Sequence, residues 1–299
     1  VARLSEGEAL RAEMGMRAAE IFVLDGLTPG SIQRMAAARL TPALTSLDQI
    51  AAWAAYAGDH TLPCALHFDT GMNRLGLAVD EAEAAAQRVA ASPGVELTLV
   101  MSHLSFATSP DHPRNRAQLE RFRQALAHFP GVRASLAASA GAFLGPDYRF
   151  DMVRPGISLY GGGPEEQPHA ELRAVAVLEA PVLQVRTLRA GDPAGYGAMF
   201  TAPRDMTIAL VEAGYADGIL RTSFAHGHAA VRGRLCPLAI VTMDLIAVDV
   251  GDAPDVGIGD MVELLGSTAL LDRAAAAAGT VAHECLVRLS PRAGRIYRD

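Results

Sequence analysis

Several short segments set side chains capable of chemistry beside glycine or at the end of an apolar run. His67-Phe68-Asp69-Thr70-Gly71-Met72-Asn73-Arg74 follows a strand-like stretch and turns into a glycine-containing loop. An arginine at such a position can grip a carboxylate through two parallel hydrogen bonds, so Arg74 is a candidate substrate-binding residue; the plain alternative is a surface loop with a structural aspartate. His103, closing Val100-Met101-Ser102-His103, can stack on or hydrogen-bond a ring, or serve as a satisfied core histidine. Small residues around Ser139, and the pair Gly156 and Ile157, allow backbone N–H groups and a hydroxyl to approach an anion closely. Arg154 lies just before that pair, and a buried guanidinium there needs an anion or a ring acceptor as partner, whereas at a strand end it would reach solvent. Gly195-Tyr196-Gly197 and Gly214-Tyr215-Ala216-Asp217-Gly218 leave phenols exposed beside permissive backbone. A proton-transferring tyrosine needs that exposure; packing at an interface is the alternative.

These groups require a scaffold. From the start to about residue 160, helical stretches alternate with short apolar runs, the pattern of βαβ units and a parallel sheet. The spacing predicts strands at 20–24, 42–45, 63–68, 96–101, 134–138 and 153–160, with helices such as 81–91 and 118–128 between them. Ser5 and Glu8 suggest a capping box for a first helix running through Glu13 and stopping at Gly15. Six strands beginning directly on a helix suggest an α/β architecture, a (β/α)8 TIM-type barrel lacking its first strands; a short doubly wound sheet is the alternative. In a barrel the strand C-termini build the active site, which would gather Arg74, His103, Ser139 and Arg154 on one rim. After residues 161–168 the pattern changes to closely spaced strands at 207–211, 238–242 and 262–265, with turns at 189–192 and 257–260 and an alanine-run helix at 274–278. A mostly β C-terminal domain follows, giving domains at 1–164 and 165–299.

The bulk composition narrows the partners. A chain of 299 residues that is 50% hydrophobic can build a full core, and a net charge of -7 offers no footprint for nucleic acid. Apolar runs are too short to span a bilayer, so the expectation is a cytoplasmic protein acting on a small molecule. Cys64, Cys236 and Cys285 are odd in number and sit in apolar surroundings, which predicts buried thiols rather than disulfides or a zinc site. His226 and His228 lack ligand spacing and read as solvent-facing; no metal is expected. All 26 basic residues are arginine, so this sequence contains no lysine amine for Schiff-base chemistry.

Taken in order, the segments at 67–76, 150–161, 195–199 and 214–218, together with Thr242-Met243-Asp244, resemble the alanine racemase family, and the likeness runs along the whole chain. The resemblance implies a barrel carrying pyridoxal 5'-phosphate, a β domain, and a head-to-tail homodimer whose active sites combine one subunit's barrel with the other's β domain. It assigns Tyr196 as the catalytic acid–base for one face of the substrate Cα in the partner's site. It assigns Arg74, Met243, Asp244 and Tyr215 to the substrate side, His103 and Arg154 to the cofactor ring, and Ser139, Gly156 and Ile157 to its phosphate. The implied reaction is interconversion of L- and D-alanine by two bases, a lysine and Tyr196, supplying D-alanine for peptidoglycan.

Arg154 bears on reaction choice, because a guanidinium facing the pyridine nitrogen cannot surrender its proton and leaves the ring a weaker electron sink. That favours racemisation over the related barrel decarboxylases, which the resemblance implies carry an acidic residue there. The sequence also departs from the family. His67 stands where many members have a carbamylated lysine, Ala239-Ile240 where a Gly-Arg pair is common, and Pro291 where some have a phosphate-binding tyrosine. The family's Schiff-base lysine belongs to an N-terminal strand expected to be missing from this sequence, which leaves a non-catalytic relative or inactive fragment as the alternative.

Overall fold

The computed structural model describes residues 1–15, 17, 19–253 and 255–298, with only the backbone of Ala225. The chain divides into two compact units, Val1–Pro155 and Gly156–Asp299.

The first unit runs α1 (Leu4–Met14), β1 (Phe22–Val23), α2 (Ile32–Ala37), β2 (Thr41–Leu44), α3 (Leu47–Ala57), β3 (Leu62–Asp69), β4 (Leu77–Ala78), α4 (Ala82–Ala90), β5 (Val95–Met101), α5 (Pro113–Leu126) and β6 (Arg133–Ser135). The parallel order is β1-β2-β3-β5-β6, with the short β4 added beside β3. All four residues of β2 and most of β3 are buried, as strands covered on both faces require. Trp53, Phe68 and Phe122 anchor the core between sheet and helices.

Local chemistry sets the helix ends. The carboxylate of Glu6, not the predicted Ser5–Glu8 box, satisfies the start of α1 by accepting from the backbone N–H of Ala2 and Arg3 at 2.9 and 3.0 Å. Glu8 instead accepts from Arg34 Nε at 2.8 Å. Helix α5 begins at Pro113, ahead of the predicted 118, because proline suits the first helical position and His112 Nδ1 accepts from the Arg114 N–H at 3.3 Å. Residues 153–160 do not form the predicted strand. Only one parallel bridge, Ala138 to Arg154, is made, and a 3-10 turn, Ile157–Tyr160, follows. Pro155 has no N–H to continue a ladder, which accounts for the break.

The second unit contains β7 (Leu178–Leu188), β8 (Pro193–Ala194), β9 (Phe200–Thr201), β10 (Met206–Val211), β11 (His228–Val231), β12 (Arg234–Val241), β13 (Ile246–Asp249), β14 (Met261–Leu265), α6 (Leu271–Ala278) and α7 (Ala282–Val287). Six of these strands close into an antiparallel barrel in the order β10-β13-β12-β11-β14-β7, which removes its sheet edges. Val182, Val211, Val231, Val241, Val248 and Val262 fill the interior. Both predicted turns form, with the Asp192 N–H on Arg189 O at 3.0 Å and the Asp260 N–H on Gly257 O at 3.2 Å. The three cysteines are buried and unpaired. His226 and His228 are exposed. No helix among the described residues is long and apolar enough to cross a membrane.

Candidate functional site

In the first unit the loops leaving β3, β5 and β6 bring the predicted residues together. Asp69 ends β3 and acts as a loop organiser. Its Oδ1 accepts from the backbone N–H of Gly71 and Met72 at 2.8 and 2.9 Å, and its Oδ2 from that of Arg74 at 2.8 Å. Burial works to raise the Asp69 pKa, but these backbone donors outweigh it and hold the carboxyl below its usual value. The loop closes over Gly76 at φ +141, where a Cβ would stand 2.5 Å from the Asp69 nitrogen. Arg74 is thereby presented with its side chain exposed.

Arg154 is the centre of the cluster. Its Nη2 donates to Ser102 O at 2.6 Å and Leu136 O at 3.4 Å, and lies 3.4 Å from His103 Nδ1; its Nη1 donates to Ser135 Oγ. Ser135 Oγ in turn donates to Met152 O at 2.7 Å. Burial lowers the Arg154 pKa to about 10, which leaves it a cation at neutral pH. Burial, then the Arg154 and Arg74 charges, push His103 down to about 4, so its imidazole is neutral and Nδ1 can accept from Arg154. His67 is likewise brought to about 4, by burial first and then Arg154 and Arg74, with Asp69 opposing. Its Nδ1 is buried and has no hydrogen-bond partner among the described residues.

Ser139 is buried in the same unit, one residue beyond the bridge between Ala138 and Arg154. Gly156 and Ile157 belong to the second unit, where the Ile157 side chain packs into the barrel core.

The second unit presents its candidates on turns. Tyr196 sits between β8 and β9, 83% exposed, flanked by Gly195 at φ +76 and Gly197 at φ +61. A Cβ on Gly195 would meet Met199 Cγ at 2.9 Å and Ile240 Cγ2 at 3.3 Å, so the turn lies against β12. Tyr215 and Met243 are drawn together by backbone: the Tyr215 N–H donates to Thr242 O and that of Ala216 to Met243 O, each at 3.0 Å. A Cβ on Gly214 would fall 2.2 Å from Met243 O, so only glycine permits this approach. Arg292 clamps the pair of turns, with Nη1 on Asp244 Oδ1 at 2.8 Å and Nε 3.4 Å from Asp217 Oδ1.

Sequence reasoning did not assign site roles to Thr70, Ser135, Gln118 or Arg292. For Thr70, Ser135 and Gln118 the one available signal was polarity within buried surroundings, as for Ser135 in a strand otherwise bound for the core; Arg292 is exposed and had no such signal.

The family models for the alanine racemase N-terminal and C-terminal domains match residues 1–164 and 175–297. The alanine racemase of Acidiphilium cryptum is 43% identical over 301 residues, covering 100% of this chain and 84% of its own. The biosynthetic alanine racemase of Agrobacterium fabrum is 43% identical over 314 residues, covering 99% of this chain and 79% of its own. Among solved structures, alanine racemase from Bartonella henselae with covalently bound pyridoxal phosphate superposes with a TM-score of 0.91 at 34% identity, covering 100% of this chain and 84% of that one. The biosynthetic enzyme from Pseudomonas aeruginosa gives 0.93 at 34% identity, with the same coverage. These likenesses agree with the two folds found here, a parallel α/β unit of TIM-like type and a β-rich unit, and the chain belongs to the alanine racemase family.

Proposed function

We propose that this protein is a pyridoxal-phosphate-dependent alanine racemase that interconverts L- and D-alanine in the cytoplasm, supplying D-alanine for peptidoglycan as a homodimer. Residues 1–164 form its cofactor-binding part and 165–299 its β-rich part. The observation that carries the reading is the Arg154 cluster: a half-buried cation whose acceptors are uncharged and whose neighbouring imidazole is neutral.

The cluster fits the ring of the cofactor. A pyridine nitrogen is a lone-pair acceptor, and a guanidinium that stays protonated is the matching donor. His67 Nδ1 adds a buried polar valence that none of the described residues fills. This sequence has no lysine, so the hold its own residues offer is non-covalent. When bound, pyridoxal phosphate supplies an electron sink for the pair left at the substrate Cα.

The chain's residues do the rest. Arg154 keeps the ring nitrogen unprotonated, and His103 fixes the orientation of Arg154. Ser139, Gly156 and Ile157 take the phosphate, as their match to the family implies. Arg74 binds the substrate carboxylate, while Met243 and Asp244 serve the substrate side of the partner's site across the dimer, with Tyr215 near its entrance. Tyr196, exposed on its turn, carries the proton to and from one face of Cα in the partner's site.

The missing amine favours a second reading, a relative that binds the cofactor and dimerises without turning over. Deuterium wash-in separates the two. Incubation of the gene product with pyridoxal phosphate and L-alanine in D2O, followed by chiral chromatography, is expected to yield D-alanine deuterated at Cα. No exchange at Cα from either enantiomer, despite bound cofactor, would sink the racemase reading and leave the second.

A further inference from the structure

The polar groups behind the Arg154 cluster converge on one side chain that contacts neither Arg154 nor any candidate substrate residue. Gln118 lies on α5 and is 2% exposed. Its Oε1 accepts from the Ser105 N–H at 2.8 Å and the Ser105 hydroxyl at 2.9 Å; its Nε2 donates to His103 O at 3.0 Å and Thr70 Oγ1 at 3.2 Å. Two donors and two acceptor sites are all that a glutamine amide has, and all are used. The orientation is fixed as well, since a backbone N–H faces the oxygen and a backbone carbonyl faces the nitrogen.

Two arms run from this amide to Arg154. One passes through the Thr70 hydroxyl to the Ser102 hydroxyl at 2.8 Å, and the Ser102 carbonyl accepts from Arg154. The other passes through the His103 backbone to its imidazole, which meets Arg154. Arg121, one helical turn along α5, donates from Nη1 to Thr70 O at 3.2 Å. Gly71, at φ +137, turns the β3 loop onto this helix, where its Cβ position lies 3.2 Å from Arg121 Nη1 and 3.5 Å from Gln118 Cγ.

We infer that Gln118 is a positioning residue for the cofactor-ring pocket: it ties the β3 and β5 loops to α5 and so sets where His103 meets Arg154. The inference rests on the cofactor reading above. Neighbouring Asn115, on the same buried helix face, donates to Phe106, Ser109 and Pro110 carbonyls farther along the β5 loop and does not reach His103. It therefore separates loss of loop structure in general from loss of His103 placement.

Gln118→Glu keeps the acceptor side toward Ser105 and turns the donor side into an oxygen that faces the His103 carbonyl. Protonation of that buried carboxyl at lower pH restores one donor. The probe is pyridoxamine 5'-phosphate, which needs no lysine, measured by fluorescence titration from pH 8.5 to 5.5 and always as a ratio to wild type at the same pH. Q118E is expected to bind about tenfold more weakly at pH 8.5, with the ratio narrowing toward two as the pH falls. Asn115→Ala is expected to stay within about twofold of wild type, since it leaves the His103 contacts whole. Amide hydrogen exchange should quicken at residues 102–105 in Q118E.

A ratio near one throughout, a loss that does not narrow with pH, or an equal loss in N115A overturns the inference while leaving the cofactor reading intact. Wild-type protein that fails to bind the probe overturns the cofactor reading instead. In that case the exchange measurement decides for or against Gln118, unchanged rates at 102–105 refuting it.

Discussion

Ser135→Ala tests the Arg154 cluster where its contribution can be isolated. Ser135 is fully buried and holds two partners at once, accepting from Arg154 Nη1 and donating to Met152 O at 2.7 Å. Removing the hydroxyl strands a charged donor, a loss of about 1.5–3 kcal/mol, and a neutral carbonyl, a further ~1 kcal/mol. Alanine leaves too little space for a water to replace both bonds, so the first unit should lose about 2.5–4 kcal/mol. Trp53 makes this measurable. It is the only tryptophan in the sequence, lies fully buried in α3, and reports the first unit without interference from the barrel. Urea unfolding followed by tryptophan emission should show a midpoint lower by roughly 1–2 M, with the slope unchanged. A shift below about 0.5 kcal/mol would mean that Arg154 finds other acceptors or solvent, and the picture of a fixed, half-buried cation would fail.

Three further outcomes follow from the geometry. Tyr196→Phe should slow Cα deuterium exchange by about 10²–10⁴-fold while leaving pyridoxamine phosphate affinity and the Trp53 unfolding midpoint unchanged, since the side chain is exposed; a slowing below tenfold would move the proton transfer elsewhere. His67 and His103 have folded pKa values near 4 against 6.5 for the free side chain, so between those limits the unfolded chain binds more protons. Stability should then fall with falling pH, at up to about 1.4 kcal/mol per pH unit for each histidine, and His103→Gln should remove its share; equal urea midpoints at pH 7.5 and 5 would show that the imidazoles are not held neutral by burial. Gly76→Ala places a Cβ 2.5 Å from the Asp69 nitrogen at φ +141, which should cost about 3 kcal/mol or more and raise amide exchange across 69–76; a cost under 1 kcal/mol would refute the tight loop.

The fold was legible wherever one physical signal dominated. The apolar runs of β3 and β5, alternating with helical stretches, announced a parallel sheet, and the second unit's turns at 189–192 and 257–260 form where their glycine and aspartate residues pointed. Misreadings arose where a neighbour overrode the local pattern. Residues 153–160 look like a strand by hydropathy, yet Pro155 halts the ladder after a single bridge. At α1 the capping carboxylate is Glu6, because the helix starts at Leu4 and Glu6 is its third residue, while Glu8 is engaged by Arg34, a partner 26 residues away that no local pattern reveals.

The same limit explains why the candidate site was half legible. Charged and aromatic members such as Arg74, His103, Arg154 and Tyr196 stand out by residue type, but the groups that fix them do not. Arg154 could have been buried against a carboxylate, and an acidic residue would have been conspicuous in the sequence. Instead its partners are two backbone carbonyls, a serine hydroxyl and a neutral imidazole, none of which cancels its charge. A cation desolvated in this way keeps a field that a carboxylate partner would have quenched, and that field is what an uncharged ring nitrogen or an anionic group can use. The uncharged donors and acceptors that hold the pocket, Ser102, Ser135, Thr70 and Gln118, are therefore the residues least visible in sequence. Their placement, more than the choice of the one arginine, decides what the pocket can bind.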